Sequence, residues 1–166
     1  MNTQEKNVSK YLKSINVSFN AALVIENHTR DENWKCDQWT ITFKGKSAAS
    51  IFEFFTGIGH RKIVNHKDFK AGTMIRAKTK TIKPYTSHVQ FEVVSKPTPA
   101  SVLYCLIGDM EATNETFGDW CDNYGYDNDS MKAHAIYNAC IENAKKLQTI
   151  FKTSHIDKLR ELLEDY

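Results

Sequence analysis

The side chains best suited to chemistry in this chain are six histidines and four cysteines. His28, His60, His66, His88, His134 and His155 include no H-x-x-x-H or H-E-x-x-H pair. That spacing would put two imidazoles on one helix face to share a metal. Cys36, Cys105, Cys121 and Cys140 are scattered and form no C-x-x-C knuckle, which structural zinc sites usually need. They read as reduced, mostly buried thiols. No G-x-S-x-G elbow occurs, and a Cys–His nucleophile pair could only be assembled by tertiary structure. The expectation is no cofactor, no metal site and no catalytic residue; an enzyme without a recognisable motif ranks third among the functions considered.

Charge is the second kind of chemistry, and it is unevenly spread. Residues 61–96 carry Arg61, Lys62, Lys67, Lys70, Arg76, Lys78, Lys80, Lys83 and Lys96 against only Asp68 and Glu92. With Tyr85 and Phe91 nearby, such a segment can follow a phosphate backbone and stack bases. Equally, its lysines can guard an exposed strand edge against aggregation. The candidate nucleic-acid contacts are Arg61, Lys62, Lys67, Lys70, Arg76, Lys78, Lys80 and Lys83. Residues 109–129 carry seven carboxylates and no Lys or Arg, so the net charge of +2 hides a dipolar chain. The acidic run is either a solvated face or a surface that meets a basic site on a partner. Asp109, Glu111, Glu115, Asp119 and Asp122 are its candidate contacts.

Two further motifs resolve to plain roles. Gly57-Ile58-Gly59-His60-Arg61 is too short for a dinucleotide or Walker phosphate loop. It reads as a strand-ending turn, the alternative being that His60 and Arg61 face an anionic group. Asp122, Asp127 and Asp129 lie around Gly125 without the spacing of a calcium loop. Carboxylates just before a helix are better explained as caps that favour its dipole.

The elements that must position these groups follow from periodicity. Residues 15–25 alternate, with Ile15, Val17, Phe19, Ala21 and Leu23 on one face. Residues 26–35 read as a polar loop. Trp39, Ile41 and Phe43 alternate inward on a second strand, Lys44-Gly45-Lys46 turns the chain, and residues 50–56 form a third strand. The simplest arrangement is an antiparallel meander. Within 62–96, TMIRAKTKTIK and SHVQFEVV both alternate and are expected to pair as a hairpin, the alternative being an irregular insertion. From Pro97 the pattern turns helical, with Ser101 as a candidate cap. Thr116 caps a short helix that Gly125 closes. Asp127 to Ser130 offer cap oxygens to a long helix, about 130–151, whose stripe is Ala133, Ile136, Tyr137, Cys140, Ala144, Leu147 and Phe151. Ser154 is the candidate cap of a last helix carrying Ile156, Leu159, Leu162 and Leu163. Trp39, Ile41 and Phe43 are expected to pack on Ile136, Cys140, Ala144 and Leu147.

The fold class is therefore α+β: an N-terminal antiparallel meander over 15–56, a turn and basic insertion over 57–96, and about four helices over 97–166. Hydrophobic content of 41% and charged content of 25% are ordinary for one globular domain spanning 1–166. The N-terminus, MNTQEKNVSKYLKS, lacks the apolar core of a signal peptide, and no run approaches the ~20 apolar residues of a membrane span. A cytoplasmic protein without a membrane partner is expected.

Several blocks, in order, carry a resemblance. They are Phe54-Phe55-Thr56-Gly57-Ile58-Gly59-His60-Arg61, then Pro97-Thr98-Pro99-Ala100-Ser101-Val102-Leu103-Tyr104-Cys105-Leu106. After them come Thr116-Phe117-Gly118-Asp119-Trp120, Gly125-Tyr126-Asp127-Asn128-Asp129-Ser130, and Tyr137 with Cys140. This pattern resembles a family of small uncharacterised proteins of bacteriophages and prophages, over roughly residues 15–165 with 62–96 unmatched. The family has no established activity, so the resemblance implies an origin and transfers no catalytic role. It favours a phage accessory protein that binds and modulates a host complex. The sharpest version is an anti-CRISPR protein acting on an effector or nuclease in the bacterial cytoplasm. A nucleic-acid-binding protein using 62–96 is the alternative.

Overall fold

Alternation of apolar and polar residues produces strands here, and the residues that close each strand set the register. The computed structural model describes residues 3–28, 35–57, 79–81, 89–91 and 97–166. Strands β1 (Ser18–His28), β2 (Lys35–Lys44) and β3 (Ala49–Gly57) form an antiparallel sheet in the order β1-β2-β3. Phe19 stands opposite Phe43, and Ile41 opposite Phe52. One irregularity between Leu23 and Ile25 shifts the register of the first pair. The connection between β2 and β3 closes with Gly45 N–H donating to the Ala48 carbonyl at 2.8 Å. Both arms of β1 and β2 reach further into the expected 26–35 loop than the polar composition suggests, to His28 and from Lys35.

Helix α1 (Thr3–Ser14) precedes the sheet and was not anticipated. Its apolar residues are few, but Val8, Tyr11, Leu12 and Ile15 stand at helical spacing. Val8 and Leu12 are buried, with Tyr11 and Ile15 packed alongside. The helix ends where Asn16 takes the left-handed region (φ 56°), a conformation Asn tolerates better than most residues. The Val17 N–H then donates to the Leu12 carbonyl at 2.9 Å, closing the helix in the Schellman manner. Ile15 thus belongs to the helix–strand turn rather than to the first strand.

Two short strands, β4 (Thr79–Thr81) and β5 (Val89–Phe91), pair antiparallel with Lys80 opposite Gln90. The hairpin expected within the basic segment is therefore present at these residues. Arg61, Lys62, Lys67, Lys70, Arg76, Lys78 and Lys83 lie outside the described residues, as does the reading of His60 and Arg61 as an anion contact.

The remaining helices are α2 (Pro99–Ala112), α3 (Phe117–Tyr124), α4 (Met131–Ile150) and α5 (Thr153–Leu163). Thr98, rather than Ser101, caps α2. The Thr98 hydroxyl accepts from Ser101 N–H at 3.2 Å, and the Ser101 hydroxyl accepts from Thr98 N–H at 3.0 Å, a reciprocal capping box. Thr116 caps α3 and Gly125 ends it in the left-handed conformation (φ 70°), as the sequence indicates. Among the candidate oxygens between Asp127 and Ser130, the Ser130 hydroxyl is the N-cap of α4, accepting from Ala133 N–H at 3.3 Å. Helix α5 starts after Lys152, whose N–H donates to His155 Nδ1 at 3.4 Å, so Ser154 is not its cap.

Two apolar clusters hold these elements. In the larger one, Ile41, Phe43 and Phe52 of the sheet join Val8 and Leu12 of α1, Leu103 and Leu106 of α2, Leu147 of α4, and Leu159 of α5. Phe43 is its aromatic hub, with ring centroids 5.2 Å from Phe19, 6.3 Å from Phe52 and 5.6 Å from Phe151. Ser50 ties β3 to α4 by donating to the Lys146 carbonyl at 2.9 Å. The smaller cluster gathers Ala112, Trp120, Cys121 and Ala133, with Phe117, Tyr126, Ile136 and Tyr137 against it. The stripe of α4 is thus divided. Ala144, Leu147 and Phe151 join the sheet residues, Ile136 joins Trp120, and Cys140 serves a polar contact with α2. Trp39 is only half-buried, at the margin of the larger cluster.

Candidate functional site

Helix α2 is apolar over most of its circumference: Ala100, Val102, Leu103, Cys105, Leu106, Ile107, Met110 and Ala112 are all buried. A helix with so wide an apolar side sits largely inside the molecule, and Asp109 lies on that buried side. Asp109 retains only 8% of its exposure. This corrects its expected place on an acidic surface: the exposed stripe of α2 carries Tyr104, Gly108 and Glu111, and Asp109 stands off that stripe on the side where Cys140 and Asn143 of α4 meet it.

On α4, Cys140 and Asn143 are three residues apart and so share a face. Both hydrogen-bond the Asp109 carboxyl, whose Oδ2 is left without a partner. Burial pushes the acid up from its ordinary 3.8 to about 7, against the opposing effect of those two hydrogen bonds. Desolvation disfavours the charged form more than two weak donors favour it. The Cys140 thiol is raised as well, first by its own burial and then by the Asp109 charge and hydrogen bond. It is a protonated donor rather than a ready nucleophile, since the thiolate is the reactive form. Cys105, Cys121 and Cys140 are all buried and unbridged.

Asp109 lines a cavity of about 580 Å³ between α2, α3, α4 and α5. Trp120, Tyr124 and Tyr126 supply its aromatic wall, and Tyr104 stands on the α2 side. Trp120 is almost wholly buried, whereas Tyr104 and Tyr124 are 53% and 56% exposed and form the rim. The Trp120 and Tyr126 rings stack with centroids 5.0 Å apart, and Trp120 to Tyr124 is 5.4 Å. Glu111, Glu164 and Arg160 bring charge to the lining. The Arg160 guanidinium is already engaged, donating to Glu111 Oε1 at 2.7 Å and to Asp157 Oδ1 at 2.6 Å. Glu111 therefore has a compensating cation that no local sequence pattern reveals, because Arg160 lies 49 residues away.

The other acidic candidates are exposed. Glu115 accepts from Asn123 Nδ2 at 2.9 Å, while its backbone carbonyl accepts from the Tyr137 hydroxyl at 2.7 Å. Asp119 sits in the first turn of α3, where a carboxylate favours the helix dipole, and hydrogen-bonds the Thr116 hydroxyl. Asp122 follows on the same short helix. Among the described side chains, no Lys or Arg pairs with these three. Of these three, only Glu115 acts on the Tyr124 hydroxyl. Its pKa is raised by burial first, and then by Glu115, Cys140, Asp109 and Glu111.

The cavity and its buried acid were missed at the level of sequence. The available signal was the pattern of α2, in which Asp109 falls within a stretch, Val102 to Met110, that is otherwise apolar. Among the described residues, no three His, Cys, Asp or Glu side chains come together as a metal site, and no helix is long and apolar enough to cross a membrane. Comparison with protein-family models, curated proteins and solved structures finds no match to this chain.

Proposed function

We propose that this chain is a binding protein that meets a cationic site on a partner through the carboxylates of α3 and its N-terminal flank. The single observation that carries this reading is the exposed trio Glu115, Asp119 and Asp122. It lies in a stretch from Pro97 to Met131 that contains no Lys or Arg at all. Like charges concentrated without relief repel one another, and a basic partner relieves that repulsion while speeding encounter. The resemblance to phage proteins supplies the kind of partner: a host complex in the bacterial cytoplasm, most sharply a CRISPR effector or nuclease that the chain inhibits or modulates.

Affinity purification from a bacterial host, with the wild type beside Glu115→Lys/Asp122→Lys, tests the reading. Asp119 is left in place because it supports the start of α3. The wild type should retain a host protein whose association slows with salt and with the reversals. Retention unchanged by the double reversal would refute the acidic face. A second reading, nucleic-acid binding by the basic segment, is favoured by the pairing of β4 with β5, which places Lys80 on a two-stranded ribbon. It requires steep salt dependence and loss of binding in Lys78→Glu/Lys80→Glu. A gel shift of plain DNA or RNA at physiological salt, indifferent to the acidic reversals, would establish it in place of the first.

A further inference from the structure

Helix α2 turns one stripe to solvent, and that stripe is hollow in the middle. Tyr104, Gly108 and Glu111 stand at helical spacing and are exposed, whereas every other residue from Val102 to Ala112 is buried. Gly108 has no side chain, and a Cβ built there would meet nothing within 4 Å. The stripe lines the cavity of about 580 Å³, which forms an open trough over it. Its apolar walls come from both clusters: Ile107 and Leu163 from the larger, Ala112 and Ile136 from the smaller. Exposed tyrosines border it. Tyr104 and Tyr124 belong to the lining, and Tyr166 packs on Tyr104 with ring centroids 5.6 Å apart.

Glycine inside a helix is less favourable than any residue but proline, and nothing in the chain packs close enough to require it at 108. Its use at such a place is to let another chain approach the backbone closely. Apolar walls rimmed by tyrosine have the composition of a protein–protein contact, and an apolar trough along a helix accepts the apolar face of a partner segment. The charge around it selects that segment. Glu111 and Glu164 line the trough, and Glu115 acts together with Glu111 on the Tyr124 hydroxyl, so it lies beside the rim. Arg160, the lining cation, already donates to Glu111 and Asp157. A second copy meeting this face with its own would set carboxylates against carboxylates. A basic segment meets no such penalty.

We infer that the trough receives a basic segment of the partner. One large apolar side chain of that segment sits over Gly108 against the Tyr104 and Tyr124 rings, while its Lys or Arg residues meet Glu111, Glu164 and the α3 carboxylates. This rests on the acidic-face reading for the partner's charge, and adds the apolar contact that holds the complex once it has formed.

The test titrates the full chain with a helical peptide of Leu and Lys that carries one Trp on its apolar face, read by calorimetry and backbone chemical shifts. Two control peptides replace every Lys with Gln, or scramble the order so that no apolar face forms. Saturable binding is expected, with shifts centred on Tyr104 to Glu111 and on Tyr124, and weakened about tenfold or more for either control. Gly108→Gln puts a side chain into the trough without changing the charge. It should keep the melting temperature and weaken binding by a similar factor, mainly through faster dissociation. Tyr124→Ala, at an exposed position, should also weaken it, whereas Glu115→Lys/Asp122→Lys should act on the association rate. Equal affinity for a control peptide, no effect of Gly108→Gln, or no saturable binding would overturn the trough. A dimer of the chain that Gly108→Gln dissolves would give the trough to a second copy and overturn the basic occupant. Loss with Gly108→Gln but not with the double reversal supports the trough through Glu111 and Glu164 and removes the α3 face. Loss with the double reversal alone keeps that face and overturns the trough.

Discussion

Replacing Asp109 with Asn should change how stability depends on pH, and the structure sets both sign and size. The carboxyl is held at about 7 in the folded protein against an ordinary 3.8. Between those values the folded state holds the proton and the unfolded state has released it. The unfolded state therefore binds fewer protons, and stability falls as pH rises. The contribution is fully present below about pH 3.8 and is lost as pH rises through about 7. Roughly three pH units at about 1.36 kcal/mol each amount to a loss on the order of 4 kcal/mol. Asp109→Asn keeps the shape and the contact with Asn143 and Cys140 but cannot ionise. Its stability should lack this descent, leaving it the more stable protein above pH 7. Glu142, held below its usual range by its hydrogen bond to Lys145, acts with the opposite sign at lower pH. It is common to both proteins and cancels in the difference. The assay is urea unfolding of both proteins from pH 4 to 9, plotted as a difference in unfolding free energy. The difference should climb by a few kcal/mol towards neutrality and then level off. A difference that stays flat across this window would refute the burial of an ionisable Asp109 on α2.

Phe43→Ala should destabilise the fold by about 3–5 kcal/mol in denaturant unfolding, since Phe43 is fully buried and meets Phe19, Phe52 and Phe151. Trp39→Ala, at the margin of the same cluster, should cost less. Ser130→Ala should lower stability by about 1 kcal/mol through loss of the α4 cap, while Asp129→Ala should leave the melting temperature nearly unchanged; the reverse order would place the cap on the wrong residue. Gly108→Ala should raise stability by about 1 kcal/mol, because the added methyl enters open space. A destabilisation there would mean that α2 is packed more tightly at Gly108 than the structure shows.

Local rules decided much of this protein from its sequence. Alternation made β2 and β3, and the residues that end helices are legible because their effects are short-range. Thr116 accepts from Asp119 N–H three residues on, and Gly125 closes α3 because it alone takes a left-handed φ without a Cβ penalty. Helix α1 was legible in the same terms, through the spacing of Val8, Tyr11, Leu12 and Ile15, but its polar composition obscured the signal. Tertiary structure decided what no window of residues contains. Whether Asp109 faces water or α4 depends on what covers α2, and the elements that cover it come from distant parts of the chain. Glu111 meets Arg160 across 49 residues, so a run that looks unrelieved along the chain is partly neutralised in space. The α4 stripe is continuous by periodicity, yet it serves the sheet cluster at Leu147, the Trp120 cluster at Ile136 and a buried acid at Cys140. Periodicity reports which side of a helix is apolar. It carries no information about which neighbour fills each part of that side, and that assignment alone creates the cavity.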